Sequence, residues 1–264
     1  MYLFEGRRTQ LFPEERRQKL FEVLKQHSSM SVTELAKLLN VSEATIRRDL
    51  NELQELGMIE RTHGGALLST FSKFEPAYVD KTDKFLEQKQ KIGAVAASLI
   101  ENGETIILDS GTTTLQVLKH LKGKQNITVI TNAVNFAQEI DINNDIEMVI
   151  IGGNVKFNTQ ALVGPLVQEN LKNFHADKVF IAANGFTLEK GFTTPDITEA
   201  FTKRAMVQGA SKAIAVLDHS KFGKTSLTTI VPPSDVNILI TDSGINQQMK
   251  KEIENLGIQV IIAE

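Results

Sequence analysis

Cysteine is absent from this 264-residue sequence. That excludes a disulfide framework, a zinc–thiolate site and a cysteine nucleophile, and it fits a reducing compartment. No apolar run approaches the length of a membrane span. The opening MYLFEGRRTQLFPEERR lacks the continuous apolar stretch of a secretory signal. The chain is therefore expected in the cytoplasm, with no membrane partner. His120, His175 and His219 have no metal-ligand spacing, so neither a metal nor a cofactor is expected. Arginine is scarce beyond residue 61, where only Arg204 remains; Arg7, Arg8, Arg16, Arg17, Arg47, Arg48 and Arg61 crowd the N-terminal end. Arginine has the planar fork that suits guanine edges and phosphates. The net charge of −3 hides this asymmetry. The arginine-rich segment is itself balanced by acidic residues, so any basic surface there must come from geometry, with acids on one face and arginines on another.

The length accommodates two domains. Near the N-terminus, Glu14 to His27 has the apolar spacing of an amphipathic helix, with Leu20, Phe21, Val23 and Leu24 among its apolar positions. Ser31-Val-Thr-Glu34 is a capping-box pattern and opens a second helix, on which Val32, Leu35, Ala36 and Leu39 share a face. Asn40-Val41 makes a short turn, and Ser42 suits the N-cap of a third helix. There Ile46, Leu50, Leu53 and Leu56 face inward, and Gly57 ends the helix. The opposite face carries Glu43, Thr45, Arg47, Arg48 and Asn51. This pattern predicts a helix-turn-helix with the third helix reading DNA. A three-helix bundle with a solvated charged face is the competing reading. Residues 58–68 then read as strand, Gly-Gly turn, strand, a wing that places Arg61, His63 and Gly64 near phosphate or the minor groove.

VSEATIRRDLNELQELGMIERTHGGAL resembles the N-terminal signature of the DeoR family of bacterial sugar-metabolism regulators, through T-I-R-R-D-L, L-x-x-x-G and H-G-G-A. The resemblance implies that Thr45, Arg47 and Arg48 belong to the recognition helix. Asp49 is expected to orient an arginine or another helix. The boundaries drawn are 1–68 for the winged helix-turn-helix, 69–83 for a linker and 84–264 for a second domain, with a helix from about Lys84 to Ile100.

In that second domain, short apolar runs at 105–109, 127–131, 147–151, 178–183, 213–217, 237–241 and 259–263 alternate with helix-length segments. This spacing predicts an α/β domain with a largely parallel sheet, whose ligands bind beyond the carboxyl ends of the strands. Asp109, Ser110, Gly111, Thr112 and Thr113 form a small-residue turn between a strand and a helix, suited to bind an anion such as phosphate. The same hydroxyls suit a plain helix cap. Thr131 and Asn132, then Gly152 and Gly153, follow further strands. The threonine and asparagine suit sugar hydroxyls, and the glycines suit either the site or the turn alone. Residues 183–203 bring Asn184, Lys190, Asp196, Glu199 and Lys203 together. Glu199 and Lys203 have i,i+4 spacing, so a solvated ion pair competes with a role at the site. Asp218 and Lys221 follow a later strand and are placed to close the site.

D-S-G-T-T-T, T-N, I-G-G, A-N-G, G-F-T-T-P-D and D-x-S-K-F-G resemble the DeoR sensor domain. That resemblance implies a fold related to ribose-5-phosphate isomerase, a phosphorylated sugar effector and a homo-oligomer on operator DNA. The last two motifs resemble members associated with fructose phosphates, making fructose 1-phosphate the first candidate. An isomerase or sugar-phosphate hydrolase fused to a DNA-binding module is the alternative. An isomerase needs a base beside a carbonyl. Where the isomerase pattern has acidic residues, this sequence has Asn184-Gly185-Phe186. The sequence therefore favours a repressor with a sensing site over an enzyme.

Overall fold

The computed structural model describes residues 13–27, 29–55, 59–61, 64–68, 71, 72, 75, 77–139 and 145–264. Leu56, Gly57 and His63, named above from the sequence, lie outside them. The chain divides into two compact units, Met1–Phe74 and Glu75–Glu264.

In the first unit, helix α1 (Pro13–His27) is followed by α2 (Val32–Leu39) and α3 (Glu43–Glu55). The expected capping box forms. The Glu34 amide donates to Ser31 Oγ at 3.2 Å, and Glu34 Oε2 accepts from the Ser31 amide at 2.9 Å. Asn40 takes the left-handed conformation that turns α2 toward α3. Leu20 and Leu24 of α1, Val32 and Leu35 of α2, and Ile46, Leu50 and Leu53 of α3 form one buried core with Ile59 and Ala66 of the wing.

The wing hairpin pairs Ile59–Arg61 antiparallel with Gly65–Leu68. A third strand, Ser29–Ser31, adds to its other edge. This strand was not expected, because three residues between helices are too few to display a period of two. Its approach explains Gly65. A Cβ there would lie 2.1 Å from the Met30 carbonyl oxygen, whereas one on Gly64 would meet nothing within 4 Å.

The second unit is built on a seven-stranded sheet in the order 259–263, 238–242, 210–216, 176–181, 105–108, 127–131, 146–150. Every neighbouring pair is parallel. Alternate residues of the strands feed two cores, as expected for a sheet covered on both faces. Ile106, Leu108, Phe180 and Ile214 pack with Ile92 and Ala96 of α5 (Leu86–Ser98) and with Leu115 and Leu118 of α6 (Thr112–Lys119). Ile107, Val179, Ile181 and Ala213 pack on the other face with Val167 of α7 (Pro165–Leu171), Met206 of α8 (Ile197–Gln208) and Ile253 of α9 (Gln247–Asn255).

The chain builds outward from 105–108 through 127–131 to 146–150, then returns to the other side of 105–108 with 176–181. The strand order therefore reverses between 105–108 and 176–181, and the crevice beyond their carboxyl ends is where such sheets hold ligands. Two additions escaped the sequence reading: a hairpin of Asn154–Lys156 with Ala161–Val163, and a small antiparallel sheet of Gly185–Thr187, Gly191–Thr194 and Thr228–Val231.

The stretch 69–83, expected as a linker, contains helix α4 (Tyr78–Thr82), and Tyr78 is buried among the residues around Ile92. A five-residue helix is too short to announce itself by periodicity. Among the described residues no helix is long and apolar enough to cross a membrane.

Candidate functional sites

In the first unit α3 exposes Ser42, Arg47, Arg48 and Asn51, with Thr45 half-buried. Ser42 caps the helix by accepting from the Thr45 amide at 3.2 Å, and its hydroxyl also meets that of Thr45 at 2.8 Å. Arg47 donates to Glu43 at 3.3 Å, and Glu43 also accepts from Thr33 at 2.8 Å. Hydrogen bonds from Thr33 and Arg47 hold the Glu43 carboxyl below its ordinary value. Arg61 Nη1 donates to Asn51 Oδ1 at 2.6 Å and to the Arg47 carbonyl at 3.4 Å. Arg61 and Asn51, both expected at the DNA, also fasten the wing to α3. Among the described residues Arg48 is exposed and makes no ion pair. The Gly64 carbonyl accepts from Val32 at 2.9 Å, tying the wing to the start of α2.

Asp49 is almost fully buried and accepts from Arg16 at two points, 2.5 and 3.0 Å. The hydrogen bond to Asp49 is the main reason that the Arg16 pKa is raised. Arg17 pairs with Glu52 in the same way. Two of the crowded arginines thus hold α1 against α3, which the spacing alone did not reveal.

In the second unit the 109–113 turn lies at the reversal of strand order. Thr114 Oγ1 accepts from the Gly111 amide at 2.9 Å and caps the turn. The amides of Thr112, Thr113 and Thr114 begin α6 and have no carbonyl a turn behind them within the helix. Gly111 is hemmed in by the neighbouring strand end. Its Cβ would lie 2.9 Å from Ala182 Cβ and 3.2 Å from Thr114 Oγ1. A side chain at 111 would therefore wedge two strand ends apart before it blocked an anion.

Asp109 is fully buried. Its Oδ2 accepts from Lys203 Nζ at 2.6 Å and from the Ala182 amide at 3.1 Å, and Lys203 also donates to the Ala182 carbonyl at 2.9 Å. Burial lowers the Lys203 pKa, but Asp109 and Glu199 outweigh it and leave the ammonium above its ordinary value. Glu199 accepts from Lys156 at 3.0 Å and from Thr159 at 2.8 Å. The solvated Glu199–Lys203 pair is therefore not formed; both groups are buried and each has a partner on another element. Lys156 also meets Asp196 at 2.8 Å. Burial works to raise the Asp196 carboxyl, yet the hydrogen bond from Lys156 holds it below its usual range.

Thr131, expected to serve sugar hydroxyls, is fully buried. Its own hydroxyl donates to the Leu108 carbonyl at 2.7 Å and accepts from the Ala133 amide at 3.1 Å, closing two strand ends. Asn132 donates to the Leu162 carbonyl at 2.9 Å, while its Oδ1 is buried with no hydrogen-bond partner among the described residues. Gly153 serves packing, since its Cβ would lie 2.3 Å from Val167; Gly152 borders open space. Asn184 donates to Glu75 and accepts from Thr194, both at 3.2 Å. Asp218 is fully buried and accepts from the Ser220 amide at 3.0 Å, with Lys221 3.8 Å from its second oxygen.

The sequence reading missed Lys89, Lys156, Glu75 and the His219–Asp242 contact of 2.7 Å. Lys89 had a signal. The buried stripe of α5 is Ile92, Gly93, Ala96 and Ala97, and one turn back it lands on Lys89. Burial, partly offset by Asp218, lowers the Lys89 pKa to about 8. Among the described residues no group of three or more His, Asp or Glu is arranged to hold a metal ion.

A winged helix-turn-helix with an exposed arginine on its third helix, followed by a doubly covered α/β unit, defines a DNA-binding transcriptional regulator. Residues 16–70 match the DeoR-like helix-turn-helix domain, and residues 84–243 match the DeoR C terminal sensor domain. The HTH-type transcriptional regulator GolR of Listeria innocua is 39% identical over 254 residues, 96% of this chain and 100% of its own. The HTH-type transcriptional repressor GlcR of Bacillus subtilis is 36% identical over 254 residues, 96% of this chain and 98% of its own. The chain belongs to the DeoR family, among regulators rather than enzymes. A ribose 5-phosphate isomerase A from Methanocaldococcus jannaschii aligns with 52% of this chain and 55% of its own at 14% identity and a TM-score of 0.39; a likeness that weak carries no argument about the site.

Proposed function

We propose that this chain represses a sugar-utilisation operon in the cytoplasm, and that a phosphorylated sugar bound by the second unit controls its hold on the operator. The observation that supports this reading is the first turn of α6. It presents the Thr112–Thr114 amides, beside the half-buried Ser110 and the buried Thr112 and Thr113, at the point where the strand order reverses, with the Lys203 ammonium behind Asp109. Amides at a helix N-terminus favour an anion. Asn132, Asn184, Glu199, Asp218 and Lys221 are proposed to surround the rest of the metabolite.

Fructose 1-phosphate is the first ligand to try. Calorimetric titration is expected to show binding of fructose 1-phosphate and none of fructose at the same concentration, with a matching rise in melting temperature. Equal binding of both would contradict the phosphate reading. One winged unit offers few base contacts, so two copies are proposed to act on a two-fold operator with half-sites about 34 Å, or a multiple, apart. Light scattering at micromolar concentration is expected to show a dimer or larger. A monomer that stays monomeric on DNA would contradict that arrangement.

A further inference from the structure

We infer that Glu75 is part of the effector site: its carboxylate holds a place that an anionic oxygen of the effector competes for, and its displacement moves the segment leading to the DNA-binding unit. The inference rests on the sensing role proposed above.

Glu75 is the first residue of the second unit and directly follows Phe74, the last of the first. Its side chain is only 6% exposed. Its Oε1 accepts from Lys81 Nζ at 2.6 Å and from Asn184 Nδ2 at 3.2 Å. Its Oε2 is buried with no hydrogen-bond partner among the described residues. Two donors, an ammonium and an amide, thus converge on one carboxylate oxygen while the other goes unsatisfied. A buried acceptor without a donor is costly, so this carboxylate is only half accommodated. A phosphate or carboxylate oxygen suits the same two donors. A second anion beside Glu75 would also repel it.

The segment that Glu75 begins is stitched to the site at further points. The Tyr78 amide donates to the Asn158 carbonyl at 2.7 Å. Asn158 lies in the turn of the hairpin whose Lys156 and Thr159 hold Glu199. Lys89 donates to the Lys81 carbonyl. The described residues between Glu75 and Thr82 are therefore tied to Asn184, to the 154–163 hairpin and to α5, and Glu75 is where the second unit begins.

A purely structural anchor and a displaceable carboxylate respond differently to substitution. Glu75→Gln keeps an acceptor for Lys81 and Asn184 but removes the charge; Glu75→Ala removes both. Fructose 1-phosphate affinity and operator affinity, with and without that sugar, are measured for the wild type and both variants. Fructose 1-phosphate is expected to bind Glu75→Gln about tenfold more tightly than wild type, and the ratio of operator affinities with and without it is expected to fall toward one. If Glu75→Gln matches wild type in both respects and only Glu75→Ala differs, the residue is an anchor and the inference fails. If wild type does not bind fructose 1-phosphate, the phosphate reading fails for that ligand, and operator affinity alone decides Glu75. Glu75→Gln, which keeps the acceptor and loses only the charge, is then expected to change operator affinity at least fivefold, and an affinity unchanged in Glu75→Gln overturns the inference.

Discussion

Replacing Asp109 by alanine is expected to destabilise the second unit by about 3–5 kcal/mol, the cost of leaving a buried ammonium without its counter-charge. Lys203 and Asp109 are 94 residues apart in sequence and meet at 2.6 Å, both buried. The same Asp109 oxygen accepts from the Ala182 amide, so the substitution also unties the two strand ends at which the order reverses. The pair Lys172–Glu169, at 2.6 Å on the surface, is the control. Its loss is expected to cost about 0.5 kcal/mol or less, because exposed ion pairs are screened and mobile. The chain has no tryptophan, so urea unfolding is followed by circular dichroism. Adding Lys203→Met to Asp109→Ala is expected to restore part of the loss by removing the stranded charge. A loss below about 1 kcal/mol for Asp109→Ala would mean that the pair does not hold this point of the sheet together.

Replacing Arg48 by alanine is expected to cost about 1–3 kcal/mol in operator binding if its guanidinium reads a base edge. The surroundings single it out. Arg47 is engaged by Glu43, Asn51 by Arg61, and Arg16 and Arg17 by Asp49 and Glu52. Arg48 is exposed on α3 and, among the described residues, without an ion-pair partner. Operator and unrelated DNA are titrated over a series of salt concentrations. A base contact predicts that the operator loses more than unrelated DNA. A phosphate contact predicts an equal loss on both and a shallower salt dependence. Operator binding unchanged in Arg48→Ala would remove this face of α3 from DNA recognition.

What the sequence revealed and what it hid divides along a physical line. Local signals were legible. The capping box at Ser31, the Ser42 cap, the strand of apolar residues before Asp109 and the small-residue turn after it depend on neighbours a few residues away. Partner choice was not legible, because a buried charge takes whichever opposite charge the topology supplies. Spacing put Glu199 with Lys203, but the sheet brings Asp109 to Lys203 and the 154–163 hairpin brings Lys156 to Glu199. Thr131 shows the same limit. A threonine after a strand reads as a free hydroxyl until its neighbour strand supplies the Leu108 carbonyl. Asp49 is the intermediate case: a carboxylate amid exposed arginines pointed to an internal partner, though not to Arg16 in particular.

The repressor reading turns on coupling between a sugar phosphate and an operator bound by separate units of one chain. It is tested most directly by measuring operator affinity with and without fructose 1-phosphate, and fructose 1-phosphate affinity with and without operator. Linkage requires the two ratios to be equal, and a common factor of about 5 or more in either direction is expected. A sugar phosphate that binds the chain while both ratios stay at one would contradict it.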